Sequence, residues 1–232
     1  MVLRRTIMFI KDDPKYVRFK SGQPYTPFAP QWDYIMYEGM LQNLDFSYIK
    51  NYILDKEEEI LSLPNTVREN KKTDGYTGLG NNSTTSRFDR FNVLSWEDDE
   101  IQKLKQSIVE FHDAFLDALG FQKPNELYIQ CWANIMRDGE EIKPHIHSVD
   151  PYTYLGGHVC IQCKDTATHY INPVNQINDP EIYTSENEVG KITLFQNCIP
   201  HYTDVHKSKD ERITIAFDLT IQKDYENFIK LY

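Results

Sequence analysis

The sequence predicts an α+β fold in which N-terminal helices pack on one face of a β-sandwich or barrel. In the first half of the chain, apolar residues repeat at helical spacing. After Pro124 the pattern changes to period two, in short runs that favour strands. Helices followed by a group of strands are typical of α+β proteins, in which the helices cover one face of the sheet.

A single domain spanning residues 1–232 is expected, because sandwiches and barrels of this length commonly form one domain. Within it we distinguish three segments. Residues 1–44 carry four prolines among aromatic side chains, a composition that predicts an extended N-terminal arm. Residues 45–123 are expected to form a mainly helical support, and residues 124–222 the β-rich core.

Two helices are predicted within the support. The first covers residues 45–63, with Asp45 as its N-cap. The second follows Ser95, which forms a capping-box pattern with Asp98, and its apolar residues repeat every three to four positions. Gly120 is expected to end this second helix.

Five strands are predicted in the core from their period-two pattern. They cover residues 127–136, 155–163, 168–172, 191–195 and 212–221. The polar, glycine-rich stretch 70–86 is predicted to be a loop, either beside a functional surface or as a solvated linker.

Composition and charge exclude several classes of partner. The chain has 35 acidic and 25 basic residues, a net charge of −10, which repels a phosphate backbone, so bare nucleic acid is not an expected partner. No apolar run approaches the roughly 20 residues needed to cross a bilayer, so no membrane partner is expected. The four cysteines, with no leader pattern before them, favour a reducing compartment, the cytoplasm.

Three histidines and an arginine form the candidate site. His145 and His147 are separated by one residue, so both side chains leave the same face of an extended segment and can converge on one ion. His201 follows an apolar strand and Pro200, which restricts the backbone leading to it. Arg212 begins another predicted strand eleven residues later; its alternative role is a surface ion pair.

This pattern resembles the double-stranded β-helix (jelly-roll, cupin-like) fold of the 2-oxoglutarate oxygenases, whose motif is His-x-Asp, a distant His and then Arg-x-Ser/Thr. Arg212-Ile-Thr214 corresponds to the last element. The chain is more closely similar to a group of 2-oxoglutarate/Fe(II) oxygenases found in marine bacteria and their phages. The likeness covers most of residues 78–218 and includes Trp132-Ala-Asn134, Pro144-His-Ile-His147, Tyr154-Leu-Gly-Gly157, Gly190-Lys-Ile-Thr-Leu-Phe195, Pro200-His201 and Arg212-Ile-Thr-Ile-Ala-Phe217.

The resemblance implies an oxidoreductase, a dioxygenase that couples decarboxylation of 2-oxoglutarate to succinate with oxidation, by hydroxylation, of an unknown prime substrate. Its cofactors would be Fe(II) and 2-oxoglutarate, with dioxygen as a further substrate and ascorbate as reductant in vitro. His145, His147 and His201 would be the catalytic metal ligands. The cosubstrate would be bound by Arg212, Thr214 and Asn134, since a planar guanidinium pairs with a carboxylate through two hydrogen bonds. A phage-encoded protein of this kind would act in the host cytoplasm.

The second ligand departs from the superfamily motif. Most members have aspartate where this chain has His147, so the site is expected to be all-imidazole, which suits Fe, Zn, Cu and Ni alike. Asp150 is the alternative carboxylate ligand, although its position on the strand would require a bend. A cupin-like module that binds zinc without oxygenase activity is the alternative function, and Arg212 distinguishes the two, since a structural zinc site has no use for it.

The remaining histidines are weaker candidates. His158 and His169 lie on predicted strands, and each either lines the substrate pocket or forms a hydrogen bond within the barrel. His206 lies in a charged stretch that is predicted to be a loop, and we expect it to be exposed to solvent.

Overall fold

The computed structural model describes residues 8–11, 13–66, 74, 76–147, 152–174, 180–222 and 227–232. These residues form two helices and ten strands, together with short 3-10 turns at Thr84–Arg87 and Val93–Ser95. The helices are α1 (Phe46–Ser62) and α2 (Asp99–Leu119). The strands are β1 (Lys15–Lys20), β2 (Asp33–Met40), β3 (Tyr128–Met136), β4 (Thr153–Gln162), β5 (Ala167–Ile171), β6 (Ile182–Glu186), β7 (Lys191–Gln196), β8 (His201–Thr203), β9 (Arg212–Thr220) and β10 (Ile229–Lys230).

The strands form two sheets. The large sheet has seven strands in the order β1-β2-β7-β4-β9-β3-β10, and the small sheet has three in the order β6-β5-β8. Every pairing is antiparallel. The result is a double-stranded β-helix with two helices, as predicted.

The two predicted helices are present, and the residues at their ends explain their bounds. Asp45 caps α1 by accepting a hydrogen bond from the Tyr48 amide at 2.9 Å. The cap of α2 is Asp98, which accepts from the amides of the first turn, so the prediction that Ser95 caps this helix was wrong. Gly120 ends α2 with φ 71°, a left-handed conformation that glycine adopts without steric cost. Within the described part of the chain, neither helix is both long and apolar enough to cross a membrane.

The large sheet has one face toward the helices and one toward the small sheet. Successive side chains of a strand point to opposite faces, so a central strand can serve two environments. On β9 the odd-numbered residues from Ile213 to Leu219 join the apolar core that includes the buried faces of α1 and α2. The even-numbered residues from Arg212 to Asp218 line a cavity between the two sheets. The polar site and the apolar core therefore share one strand.

The expectation of an N-terminal arm at 1–44 was incomplete. Two of its segments are strands β1 and β2, which extend the large sheet through the pairing of β2 with β7. Phe19 and Met36 are buried in a second apolar cluster with Phe195. The sheet therefore exceeds the predicted core, 124–222, and receives β10 from beyond it. The prolines that suggested an arm lie outside both strands, where a missing amide does not interrupt the ladder.

Candidate active site

The fold brings His145, His147 and His201 together between the two sheets. His145 and His201 pair through two backbone hydrogen bonds of 3.1 and 3.0 Å, and the His147 amide donates to the Asn197 carbonyl at 3.1 Å. The ring centroid of His201 lies 4.3 Å from that of His145 and 5.1 Å from that of His147. One potential ligand nitrogen from each ring lies within 4.8 Å of the others. This is a metal-chelating arrangement.

Backbone carbonyls fix the tautomers of two of these histidines. His145 Nδ1 lies 2.9 Å from the Lys143 carbonyl oxygen, and His201 Nδ1 lies 3.1 Å from the Ile199 carbonyl oxygen. A carbonyl oxygen only accepts hydrogen bonds, so Nδ1 carries the proton in both rings. The lone pair is then on Nε2, the atom that remains for a metal.

The third histidine is fixed by a side chain. His147 Nδ1 donates to the carboxylate of Asp218, which reaches it from β9. This contact leaves Nε2 of His147 as the free ligand atom, as in the other two rings. The three imidazoles thus have the same protonation pattern, although they are held by different groups.

Burial favours the neutral form of His145 and of His201. Desolvation, together with the neighbouring His147, lowers the pKa of His145 from its ordinary value to about 4. Burial, followed by the neighbouring histidines, also holds the pKa of His201 well below its usual range. Only a neutral imidazole binds a metal, so these rings are in the ligand form well below neutral pH.

The histidines border a cavity of about 450 Å³ between the sheets. All six residues predicted for the site line it: Asn134, His145, His147, His201, Arg212 and Thr214. Its wall also includes aromatic residues, among them Tyr76, Phe88, Trp132 and Phe195. The volume is within the usual range for small-molecule sites.

Arg212 is a buried cation in this cavity. It is 1 % exposed, and among the described residues its Nη1 donates only to the Met136 sulfur, at 3.4 Å. Its Nε has no hydrogen-bond partner, and no ion pair joins the guanidinium to a carboxylate among the residues that the structure describes. Burial lowers the pKa of Arg212, which reflects the cost of desolvating its charge. An anionic ligand would satisfy both the charge and the free donors.

Thr214 and Asn134 complete this end of the cavity. They face each other as paired residues of β9 and β3. The Asn134 carboxamide oxygen accepts from Thr85 Oγ1 at 2.6 Å and from Trp132 Nε1 at 3.1 Å. Because the oxygen is held by two donors, the NH2 group is the end of the carboxamide that can bind a ligand.

The other predicted histidines differ in whether they line the cavity. His158 lines the cavity, and burial followed by the nearby Arg212 lowers its pKa to about 3. His169 does not line the cavity, because its ring is bonded to Thr184 and to Asp204, each at 2.9 Å. The expectation that His206 is exposed was wrong, since it is 1 % exposed and bonds through Nε2 to the Asp210 carbonyl at 2.6 Å.

Sequence reasoning missed Asp218 as part of the site. The signal was present, since Asp218 has the same strand parity as Arg212 and Thr214 and must face the same way. The loop 70–86 contributes Tyr76 and other cavity-lining residues, which agrees with its placement beside a functional surface. The alternative ligand Asp150 lies outside the described residues.

The donor set fits a divalent transition metal. Three imidazoles that converge on one point are suitable ligands for iron, and three protein ligands leave further coordination positions open. Fold and site together indicate a double-stranded β-helix protein with a candidate metal centre.

Comparison with known proteins agrees with this class. Residues 130–218 match the model of a family described as "Putative 2OG-Fe(II) oxygenase", where 2OG is 2-oxoglutarate. This part of the chain is therefore similar to the oxygenase domain of a family that uses Fe(II) and 2-oxoglutarate, which supports an oxidoreductase. No curated protein matches the chain in a sequence comparison.

Solved structures show the same fold at low sequence identity. A prolyl hydroxylase from Trichoplax adhaerens, in complex with a hypoxia inducible factor peptide fragment, is 11% identical with a TM-score of 0.53, over 75% of this chain and 77% of that chain. HygX from Streptomyces hygroscopicus, with nickel and 2-oxoglutarate bound, is 11% identical with a TM-score of 0.51, over 81% and 82% of the two chains. At this identity the likeness concerns the fold.

Proposed function

We propose that this protein is a 2-oxoglutarate- and Fe(II)-dependent hydroxylase in which His145, His147 and His201 hold the metal. Arg212 and Thr214 bind the distal carboxylate of 2-oxoglutarate, and Asn134 lines the same pocket. The observation that carries the proposal is the buried guanidinium of Arg212, which has no ion-pair partner among the described residues, in the cavity that the three histidines border.

The charge of Arg212 argues against a structural zinc module. A structural zinc site closes around four protein ligands and gains nothing from a buried cation nearby. Among the described residues, the cluster offers three ligands, so positions remain for a cosubstrate. Burying an arginine without a carboxylate partner is costly unless an anion binds to it. A dicarboxylate that reaches both the metal and Arg212 meets both requirements.

The chain's own residues bind, orient and exclude water. When bound, iron and 2-oxoglutarate supply the oxidising chemistry, in which 2-oxoglutarate is decarboxylated to succinate. The carbonyls of Lys143 and Ile199 hold two of the ligand rings with Nε2 directed to the metal position. The aromatic side chains of the cavity wall, among them Phe195 and Trp132, would limit the access of water to the reacting atoms. Arg212 fixes the orientation of the cosubstrate through paired hydrogen bonds.

We also propose a cytoplasmic location, that of the host if the chain is encoded by a phage of marine bacteria. The four cysteines are all free thiols, which suits a reducing compartment. The net charge of −10 supports a prime substrate other than bare nucleic acid.

Succinate formation tests the proposal. Purified protein is incubated with Fe(II), ascorbate, dioxygen and 2-oxoglutarate, and succinate is measured with and without candidate substrates. We expect the wild type to form succinate and Arg212→Ala to lose that turnover. Absence of both succinate and 2-oxoglutarate binding in the iron-loaded wild type would overturn the proposal.

A further inference from the structure

His147 is held differently from the other two histidines of the cluster. Its Nδ1 contacts a carboxylate, that of Asp218, whereas Nδ1 of His145 and of His201 contacts a backbone carbonyl. The side chain of His147 is 7% exposed and that of Asp218 25% exposed. A carboxylate is the stronger acceptor and carries a full negative charge.

The surrounding strands leave His147 little freedom to turn away from Asp218. In the pairing of β4 with β9, Gly156 is the partner of Asp218, so the carboxylate lies beside a position without a side chain. The Phe195 ring meets the imidazole edge-on, with centroids 5.3 Å apart. The Trp132 ring lies 6.1 Å away on a tilted plane. Together these contacts hold the ring where its Nδ1 meets Asp218.

We propose that Asp218 is a positioning residue for the metal centre, which fixes His147 with its Nε2 toward the metal and supplies the negative charge that an all-imidazole ligand set lacks. The inference rests on the proposed function. A carboxylate that accepts from the distal nitrogen of a ligand imidazole fixes its tautomer and strengthens its donor atom. Most members of the superfamily have an aspartate as a direct metal ligand. Asp218 supplies the corresponding negative charge from behind His147, without binding the metal itself.

A second histidine–aspartate pair provides a matched control. His169 bonds to Asp204 through its Nε2 at 2.9 Å, but this pair lies outside the metal cluster. Removing the charge of Asp204 therefore breaks a contact of the same chemistry without touching the centre. A purely structural role for such pairs predicts equal effects at both sites on metal binding.

The test is an anaerobic Co(II) titration, followed by the visible absorption of the bound ion, in the wild type and three variants. Asp218→Asn keeps the shape but removes the charge, and we expect it to weaken Co(II) binding about tenfold. Asp218→Ala also removes the acceptor, and up to about a hundredfold loss is expected. Asp204→Asn should bind like the wild type. Wild-type affinity in both Asp218 variants would overturn the inference, whereas no binding by the wild type would overturn the proposed function instead.

A second measurement needs no variant and so does not depend on folding of the substituted protein. Nitrogen-15 NMR of the histidine side chains in the metal-free wild type reports which ring nitrogen carries the proton. We expect His147 to carry it on Nδ1, with a hydrogen-bonded shift that distinguishes it from an imidazole exposed to water. A proton on Nε2 of His147 would overturn the inference directly, because that tautomer cannot bind the metal through Nε2.

Discussion

Gly156 lies directly against the ring of His147. A Cβ atom added to Gly156 would stand 2.9 Å from His147 Nδ1 and 2.9 Å from the Phe195 ring. Distances below 3.0 Å require one of the groups to move, and Nδ1 is the atom that bonds to Asp218. The absence of a side chain at this position therefore gives His147 the space that its bond to Asp218 requires.

Gly156→Ala should impair the metal centre before it impairs the fold. The added methyl group displaces the His147 ring and breaks its contact with Asp218, and we expect metal affinity to fall roughly tenfold or more. The Co(II) titration measures it. Gly157→Ala is the control, since its Cβ would meet the Phe217 ring at 2.4 Å, and Phe217 belongs to the helix-facing core. That variant should mainly lose stability, by about 1–3 kcal/mol. Unchanged metal affinity in Gly156→Ala would contradict the role assigned to this close approach.

His145→Ala and His201→Ala should each abolish tight binding of one metal ion per chain. Each substitution removes one of three converging ligands, and the remaining pair cannot close the site. Elemental analysis of protein loaded with one equivalent of Fe(II) under nitrogen measures the loss. His169→Ala is the control, because its ring bonds to Thr184 and Asp204 away from the cluster. Retention of a full equivalent by the His201 variant would remove that residue from the site.

Arg212→Ala should weaken 2-oxoglutarate binding while leaving the metal in place. Removing one partner of a buried, hydrogen-bonded charge pair costs on the order of 2–5 kcal/mol. Since 1.4 kcal/mol is a factor of ten in an equilibrium constant, the affinity should fall roughly thirtyfold or more. Calorimetry on the anaerobic, iron-loaded protein measures this. Arg212→Lys should recover only part of the affinity, because a single ammonium cannot reproduce the planar pair of hydrogen bonds. Equal affinity in all three proteins would exclude Arg212 as the cosubstrate residue.

The metal-free protein should lose stability as the pH falls from about 7 toward 4. Burial lowers the pKa of His158 to about 3 and that of His145 to about 4, whereas both titrate near the ordinary value of 6.5 when unfolded. Above about pH 6.5 both states are neutral and these groups contribute no pH dependence. Below it the unfolded chain binds protons that the folded protein does not, so the free energy of unfolding falls by up to about 1.4 kcal/mol per pH unit for each group.

Thermal or urea unfolding at several pH values tests this dependence. His158→Gln should reduce the slope of the unfolding free energy against pH between about pH 6.5 and 4. The reduction should be up to about 1.4 kcal/mol per pH unit, because glutamine does not titrate. His169→Gln is the matched control, since His169 is not enclosed in the cavity and has an aspartate partner. A stability that is the same at pH 7 and pH 4.5 would contradict the assignment.

Much of the site could be predicted from the sequence because its motifs depend on local periodicity. His145 and His147 are two residues apart, as are Arg212 and Thr214, and the alternation of an extended strand places each pair on one face. The same rule applied to β9 would have included Asp218. Asp45 caps the start of α1 and Gly120 caps the end of α2, as predicted, because capping depends on the few residues beside the helix end.

The sequence failed where long-range pairing decides the structure. Strands β1 and β2 lie among prolines and aromatic residues that suggest an arm, and they become strands because β2 pairs with β7, far along the chain. His206 lies in a charged stretch, yet its side chain is buried and its ring forms a hydrogen bond with the Asp210 carbonyl. Burial of this kind depends on what packs over a residue, which local composition does not encode.

By itself, the sequence determined the α+β class and predicted the three histidines and Arg212 with Thr214 as site candidates, because strand periodicity and residue chemistry are local properties. Only the tertiary structure decided that Asp218 bonds to His147 and that Gly156 leaves room for this contact. These residues come from three separate segments of the chain, and their contact depends on the register of β4 against β9. A shift of one residue in that register would turn the side chains of one strand to the opposite face. Sheet pairing, rather than any single segment, therefore decides which side chains meet in the site.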